Sequence, residues 1–267
     1  MTTESMVRTR GELLKVLVMT RRPLLTAHAP SSTERSRGRV TSEATTPGLR
    51  VTARPGLLVV SFDDPVRACS WAIVGGGIVE TRSVAWIEVR NADLGPHVDP
   101  RELVLDRLRS AGLAPGIRLL TGRSVATYED AIVSAGRTTA RCLATIGLSN
   151  ALRAGDPARA SAAIGTINLL AYVDEPLSDE GLIEASAIAT EAKCAAVFES
   201  GVKSRESGRP ATGTGTDCVV IASPRAHPGQ RVEAYAGKHT VIGSAVGAAV
   251  ERAVAAGVRR WREETGL

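Results

Sequence analysis

The residues of this 267-residue chain with the means to do chemistry gather in its second half. Residues 146–157 (IGLSNALRAGDP) end an apolar run in Ser149 and Asn150, then add Arg153 and Asp156. An Asn at a strand end either aims its amide N–H at a developing oxyanion or closes an Asx-turn, and spacing alone leaves both open. Residues 163–176 (AIGTINLLAYVDEP) set Gly165, Thr166 and Asn168 in an otherwise apolar strand. The glycine marks close backbone approach or a bulge, and Thr166 is either an acyl-accepting hydroxyl or an ordinary strand former. Residues 207–217 (SGRPATGTGTD) combine three glycines with Arg209, Thr212, Thr214, Thr216 and Asp217. Such a loop either wraps a polar ligand with backbone N–H groups and hydroxyls or is only a flexible glycine turn. It lacks the G-x-x-x-x-G-K-[ST] pattern, so it is no nucleotide P-loop.

Two further groups are charged. Glu184, Glu191 and Lys193 fall on a predicted helix, either as a solvated face or as polar groups turned to a ligand. Gly237-Lys238-His239-Thr240 precedes another helix, where donors at the N-terminus suit an anion and His239 can carry a proton. The other histidines stand apart beside prolines or in loops, and no His/Cys/Asp/Glu set has ligand spacing, so no metal and no cofactor is expected. Cys69, Cys142, Cys194 and Cys218 lie in apolar stretches without a C-x-x-C pair and read as buried free thiols of a reducing compartment.

The elements that must position these groups follow from periodicity. Strands are predicted over residues 56–62, 72–79, 83–90, 117–121, 138–148, 164–173, 217–222 and 231–236. Asp99-Pro100-x-Glu102 starts a helix with Val104, Leu105 and Leu108 on its buried face, ended by Gly112. Ser178, followed by Asp179 and Glu180, caps a long helix whose small-residue face is Leu182, Ala185, Ala189, Ala192 and Ala196 and which stops at Gly201. A second long helix runs from Thr240 to about Glu263, with Ile242, Val246, Ala249, Ala253 and Trp261 helically spaced. Strands and helices interleave without strict βαβα rhythm, which predicts an α/β (α+β) body of mixed sheets packed with helices. Residues 20–50 are rich in Ser, Thr, Pro and Arg, so a basic, partly flexible extension over 1–55 and one domain over 56–267 are expected.

Composition narrows the function classes. The sequence pI is near 9.3, but nine of the basic and four of the acidic residues lie in the first fifty, which accounts for the whole net charge of +5. A neutral body with a basic leader and only 3% aromatic residues is not a nucleic-acid reader. The longest uncharged stretch, residues 160–173, falls short of the roughly 20 residues of a membrane span, and residues 13–19 make a poor signal peptide. A cytoplasmic protein with no membrane or nucleic-acid partner is expected, with homo-oligomerisation left open.

Five of these motifs occur in the same order in one family. GLSNALRAGDP, GTIN with an apolar run and D-x-P-L, ATEAK, ATGTGTD and GKHT resemble the adenosylcobinamide amidohydrolases over roughly residues 65–255. Thr121-Gly122-Arg123 stands where that family tends to show Thr-Ala-Ala, and Ser244 where an acidic residue is usual. The resemblance implies hydrolysis of the amide joining aminopropanol to a propionate arm of the corrin ring, giving adenosylcobyric acid for cobalamin salvage, with the corrinoid as substrate. A second similarity, to autoprocessing aminopeptidases and ornithine acetyltransferase-like enzymes, implies an αββα sandwich. It implies Thr166 as nucleophile, Asn150 as oxyanion donor and Asp217 as orienting carboxylate. In a rival mechanism Glu191 or Asp217 activates water and His239 protonates the leaving amine. Ser149, Asn168, Lys193, Arg209, Thr212, Thr214, Thr216 and Lys238 are the candidates for holding substrate. Two other classes stand beside this one: a corrinoid-binding protein without catalysis, and an autoprocessing aminopeptidase-like amidohydrolase.

Overall fold

The computed structural model describes residues 46–95, 97–158 and 165–266. Three strands open the body: β1 (Leu49–Arg54), β2 (Leu57–Ser70) and β3 (Gly77–Glu88). Helix α1 (Pro100–Ala111) follows, capped by Asp99 and closed by Gly112 in the left-handed region, as its start and stop residues predict. Next come β4 (Ile117–Thr121), β5 (Glu129–Ala135), β6 (Thr138–Ile146) and the two-residue β7 (Ala151–Leu152). Then β8 (Ile167–Val173), α2 (Asp179–Glu199), β9 (Gly213–Thr214), β10 (Cys218–Pro224) and α3 (Val241–Thr265) complete it.

The main sheet runs β4-β3-β2-β10-β8-β6-β5, with β1 added to β2, while β7 pairs only with β9. The first half of β2 pairs with β1 and its second half with β10, and the register against β3 slips between Ser61 and Val66, where Pro65 cannot donate to the ladder. The sheet folds over on itself at this bend. Leu58, Val60, Trp86, Ile117 and Leu119 from one leaf meet Leu143, Leu170, Tyr172 and Val220 from the other, and Phe62 stacks on Tyr172 with ring centroids 5.8 Å apart. The outer face of the β6-β8-β10 leaf, including Cys142, Ile146, Leu169 and Ile221, carries α2 and α3. α1 covers the outer face of the other leaf through Val104, Leu108, Ile87 and Leu120. The layers are therefore α, β, β, α: the mixed α/β body expected from the sequence, in its sandwich form.

α3 is long and apolar enough to cross a membrane by length and composition alone, yet its apolar stripe from Ile242 to Trp261 is buried in the core. Its face is lined with small residues because it lies tight on the sheet: a Cβ on Gly257 would stand 2.7 Å from Ile146 Cδ1.

Several expectations are corrected. Residues 231–236 form no strand; Glu233 contributes a lone bridge to Leu177, and its carbonyl accepts from Ser178 N. Residues 72–76 are a turn, and one continuous β3 replaces the two strands placed over 72–79 and 83–90. The strand β1 was concealed by the polar composition around it, so part of the span assigned to the extension is paired in the sheet. Residues 1–45 lie outside the described residues, as does Ile164 at the head of the predicted strand.

Topology fixes where the ends meet. β8 and β10 are parallel and start together, while β6 and β2 run antiparallel to them and finish there. The segment after β6, the entry to β8, the approach to β10 and the residue after β2 thus share one end of the sheet.

Candidate active site

Thr166 stands at the entry to β8 and is 5% exposed. Its hydroxyl donates to the Thr216 carbonyl at 2.8 Å, with Asn168 Oδ1 at 3.4 Å. The loop before β10 is held there by Asp217. Its carboxylate accepts from Thr214 N at 3.1 Å, from the Thr214 hydroxyl, and from Ile167 N at 3.1 Å. Its second oxygen takes Lys193 Nζ at 2.5 Å, and the two side chains are 8% and 9% exposed. Both oxygens of this carboxylate are thus engaged by donors, which suits an orienting group and leaves little to activate a water.

The glycine at 213 has a steric cause. A Cβ on Gly213 would fall 2.1 Å from Asp217 Oδ2 and 2.6 Å from Lys193 Nζ, so only glycine lets the ion pair close over that position. Gly165 is constrained likewise: a Cβ there would stand 2.7 Å from Asn150 Oδ1 and 2.8 Å from Ser149 N. The Asn150 side chain lies between the two glycine turns, its Oδ1 beside Gly165 and its Nδ2 toward Gly215. Asn150 is 7% exposed and its Oδ1 is buried without a partner. A buried unpaired amide oxygen costs about 1–3 kcal/mol, an expense more common at functional positions than in a core. Thr216 Oγ donates to the Gly165 carbonyl at 3.3 Å.

Asn150, Thr166, Asn168, Lys193, Thr214, Thr216 and Asp217 are therefore brought together, while the other candidates are not. Asn168 is 2% exposed and turned inward, donating to the Leu120 carbonyl at 2.5 Å, so it braces the strand rather than facing a ligand. Lys193 is occupied by Asp217 rather than held open for substrate. Glu191, about 200° further round α2 from Lys193, is 55% exposed and pairs with Lys238 on the solvent side. His239 is exposed on the same turn as Lys238, and among the described residues it forms no hydrogen bond or ion pair with the clustered groups. Glu184 accepts from Ala236 N at 2.7 Å and anchors that turn. Arg209 pairs with Asp156 at 3.1 Å, and Thr212 Oγ accepts from Ala154 N at 2.9 Å, so both lock the 150–156 segment to the β9 loop. The Ser204 hydroxyl, with Ser207 and the Arg153 backbone, holds the Asp156 carboxyl well below the usual range, so this clamp stays charged. Ser149 is exposed beside the cluster.

One residue escaped the sequence reading. Trp71 follows the last residue of β2, and its indole N–H donates to the Asp217 carbonyl at 2.7 Å. Its signal was faint: one of three tryptophans in a chain poor in aromatics, beside the glycine run at 75–77. No group of three or more metal-ligating side chains occurs among the described residues.

A buried threonine hydroxyl close to a carboxamide and an engaged carboxylate has the parts for acyl transfer, with the hydroxyl as attacking group. The adenosylcobinamide amidohydrolase family model matches residues 42–266. The chain is 34% identical over 196 residues to the adenosylcobinamide amidohydrolase of Halobacterium salinarum, covering 70% of this chain and 78% of that one. Among solved structures, the PH0078 protein of Pyrococcus horikoshii aligns over 80% of both chains at 14% identity and a TM-score of 0.41. The L-aminopeptidase D-Ala-esterase/amidase of Ochrobactrum anthropi does so over 80% of both at 17% identity and 0.38. On the family match and the curated relative, this chain belongs to the adenosylcobinamide amidohydrolases, enzymes that cleave an amide bond.

Proposed function

We propose that the protein hydrolyses the amide between aminopropanol and the corrin propionate arm of adenosylcobinamide. The products are aminopropanol and adenosylcobyric acid, returned to cobalamin synthesis in the cytoplasm. Thr166 Oγ attacks the amide carbonyl carbon, Asn150 faces the developing oxyanion, and collapse breaks the C–N bond as the amine takes a proton. Water then cleaves the Thr166 ester. The observation that carries this reading is the Thr166 hydroxyl pinned on the Thr216 carbonyl beside a carboxylate–lysine pair. Against the activated-water route, Asp217 has no free oxygen and Glu191 and His239 lie outside the cluster. The binding-only and aminopeptidase readings gain nothing from the family match.

Among the described residues the hydroxyl has two neutral acceptors and no titratable neighbour in hydrogen-bond contact, so its proton goes either to a water or to the α-amine of Thr166 itself. That amine becomes free if the Gly165 carbonyl, held by Thr216 Oγ, is transferred to Thr166 Oγ and the resulting ester hydrolysed. The intact mass of active protein assigns the route: a full-length chain selects water, and a chain split between Gly165 and Thr166 selects the amine.

Thr166→Ala is expected to cut adenosylcobyric acid release by about a thousandfold or more while Thr166→Ser keeps measurable turnover. Its melting temperature should fall by only about 4 °C, the cost of one hydrogen bond. Near wild-type turnover in the alanine variant would remove Thr166 from the mechanism.

A further inference from the structure

We propose that Trp71 is the platform on which the flat face of the corrin macrocycle rests while its amide arm reaches Thr166. This inference depends on the corrinoid reading above and adds a binding residue to it. Trp71 is 53% exposed, whereas Trp86 and Trp261 are buried. An exposed indole at a random surface position has no reason to be fixed, yet this ring is held by its N–H on the Asp217 carbonyl. Asp217 in turn binds Ile167 N, and the adjacent Thr216 carbonyl receives the Thr166 hydroxyl, so the ring stands two links from the attacking oxygen.

The surface beside it is apolar and low. Ser70, which precedes Trp71, pairs with Gly77, and Cys69 pairs with Ile78, itself 41% exposed. Gly77 has φ +100° and nothing within 4 Å of where a Cβ would stand. On the β3 side of β2, across from the Asp217 anchor, the position nearest the tryptophan thus carries no side chain and the next an exposed isoleucine. A large planar ligand gains contact area from a rigid aromatic face with two side-chain torsions, and the remaining exposed aromatics do not offer this. Phe198 is covered by the Arg153 guanidinium, 5.8 Å from its centroid, and Tyr235 lies on the loop ahead of Ala236.

The test uses the full chain in a Thr166→Ala background, which separates binding from turnover. Equilibrium dialysis with adenosylcobinamide should give a Kd about tenfold weaker when Trp71→Ala is added, equivalent to about 1.4 kcal/mol. Trp71→Phe should bind within about threefold of the parent, because the face is kept and only the N–H is lost. Equal affinity for the parent and the alanine variant overturns the platform. Equal weakening by alanine and phenylalanine also overturns it, since the bond to Asp217 would then be what matters. Absence of corrinoid turnover by the wild-type chain would instead strike the functional reading, and is measured separately.

Discussion

Removing the lysine from the buried Lys193–Asp217 pair is the most exacting test of the site. Lys193→Met keeps the length and apolar stem of the side chain but leaves Asp217 charged, with less than a tenth of its side chain in solvent. Breaking a buried pair from one side costs about 3–5 kcal/mol, because the abandoned charge has lost its water as well as its partner. Asp217 keeps Thr214 N, Thr214 Oγ and Ile167 N as donors, which places the loss at the lower end, about 3 kcal/mol. For a folded body of this size, 1 kcal/mol moves the melting temperature by about 2–4 °C, so a fall of about 6–12 °C is expected. Adding Asp217→Asn removes the stranded charge, and the double variant should recover part of that fall rather than add to it. Both variants should lose most of their release of adenosylcobyric acid, since the loop carrying the Thr216 carbonyl loses its tie to α2. Thermal melts followed by circular dichroism, with product measured chromatographically, read both quantities. A Lys193→Met protein melting within about 2 °C of wild type would refute the reasoning, and so would a fully additive double variant.

Two more expectations come from placement and from titration. Glu191→Gln and His239→Ala should leave turnover within about a factor of two of wild type, because among the described residues neither side chain bonds to the clustered groups; a loss of about a hundredfold would return them to the site. At alkaline pH the buried thiols matter: burial, with Asp217 adding to it, pushes Cys218 up from 9.0 to about 12, and burial also raises Cys142. The unfolded chain releases these protons first, so the Cys218 contribution is intact below pH 9 and is lost between about 9 and 12. Cys218→Ala should flatten that decline in urea titrations, whereas an unchanged slope would contradict the burial argument.

Much of the architecture was legible in the chain. Asp99 with Gly112, Ser178 and Thr240 mark helix ends because capping is a local contest for orphan N–H and C=O groups, settled within a few residues. β4 was read at its observed limits since a short apolar run between turn residues has few other solutions. The strand expected at residues 231–236 failed because its alternation had no partner edge to meet, and β1 was missed because its pairing with β2, not its composition, makes it a strand.

Residue types and their order single out which groups could act: the hydroxyl at 166, the amide at 150, the carboxylate at 217 and the glycines that let them approach. Which of them meet depends on the folded chain. Lys193 and Glu191 are two residues apart on one helix, equally charged and equally suspect by spacing, yet one is sealed against Asp217 and the other faces solvent. That choice depends on which side of α2 the sheet covers, and the partners are strands more than twenty residues away. Trp71 was invisible for the same reason, since its partner, the Asp217 carbonyl, lies 146 residues further along the chain. Charge, exposure and proximity are properties of the folded neighbourhood, and spacing along the chain reports them only where the neighbours are also neighbours in sequence.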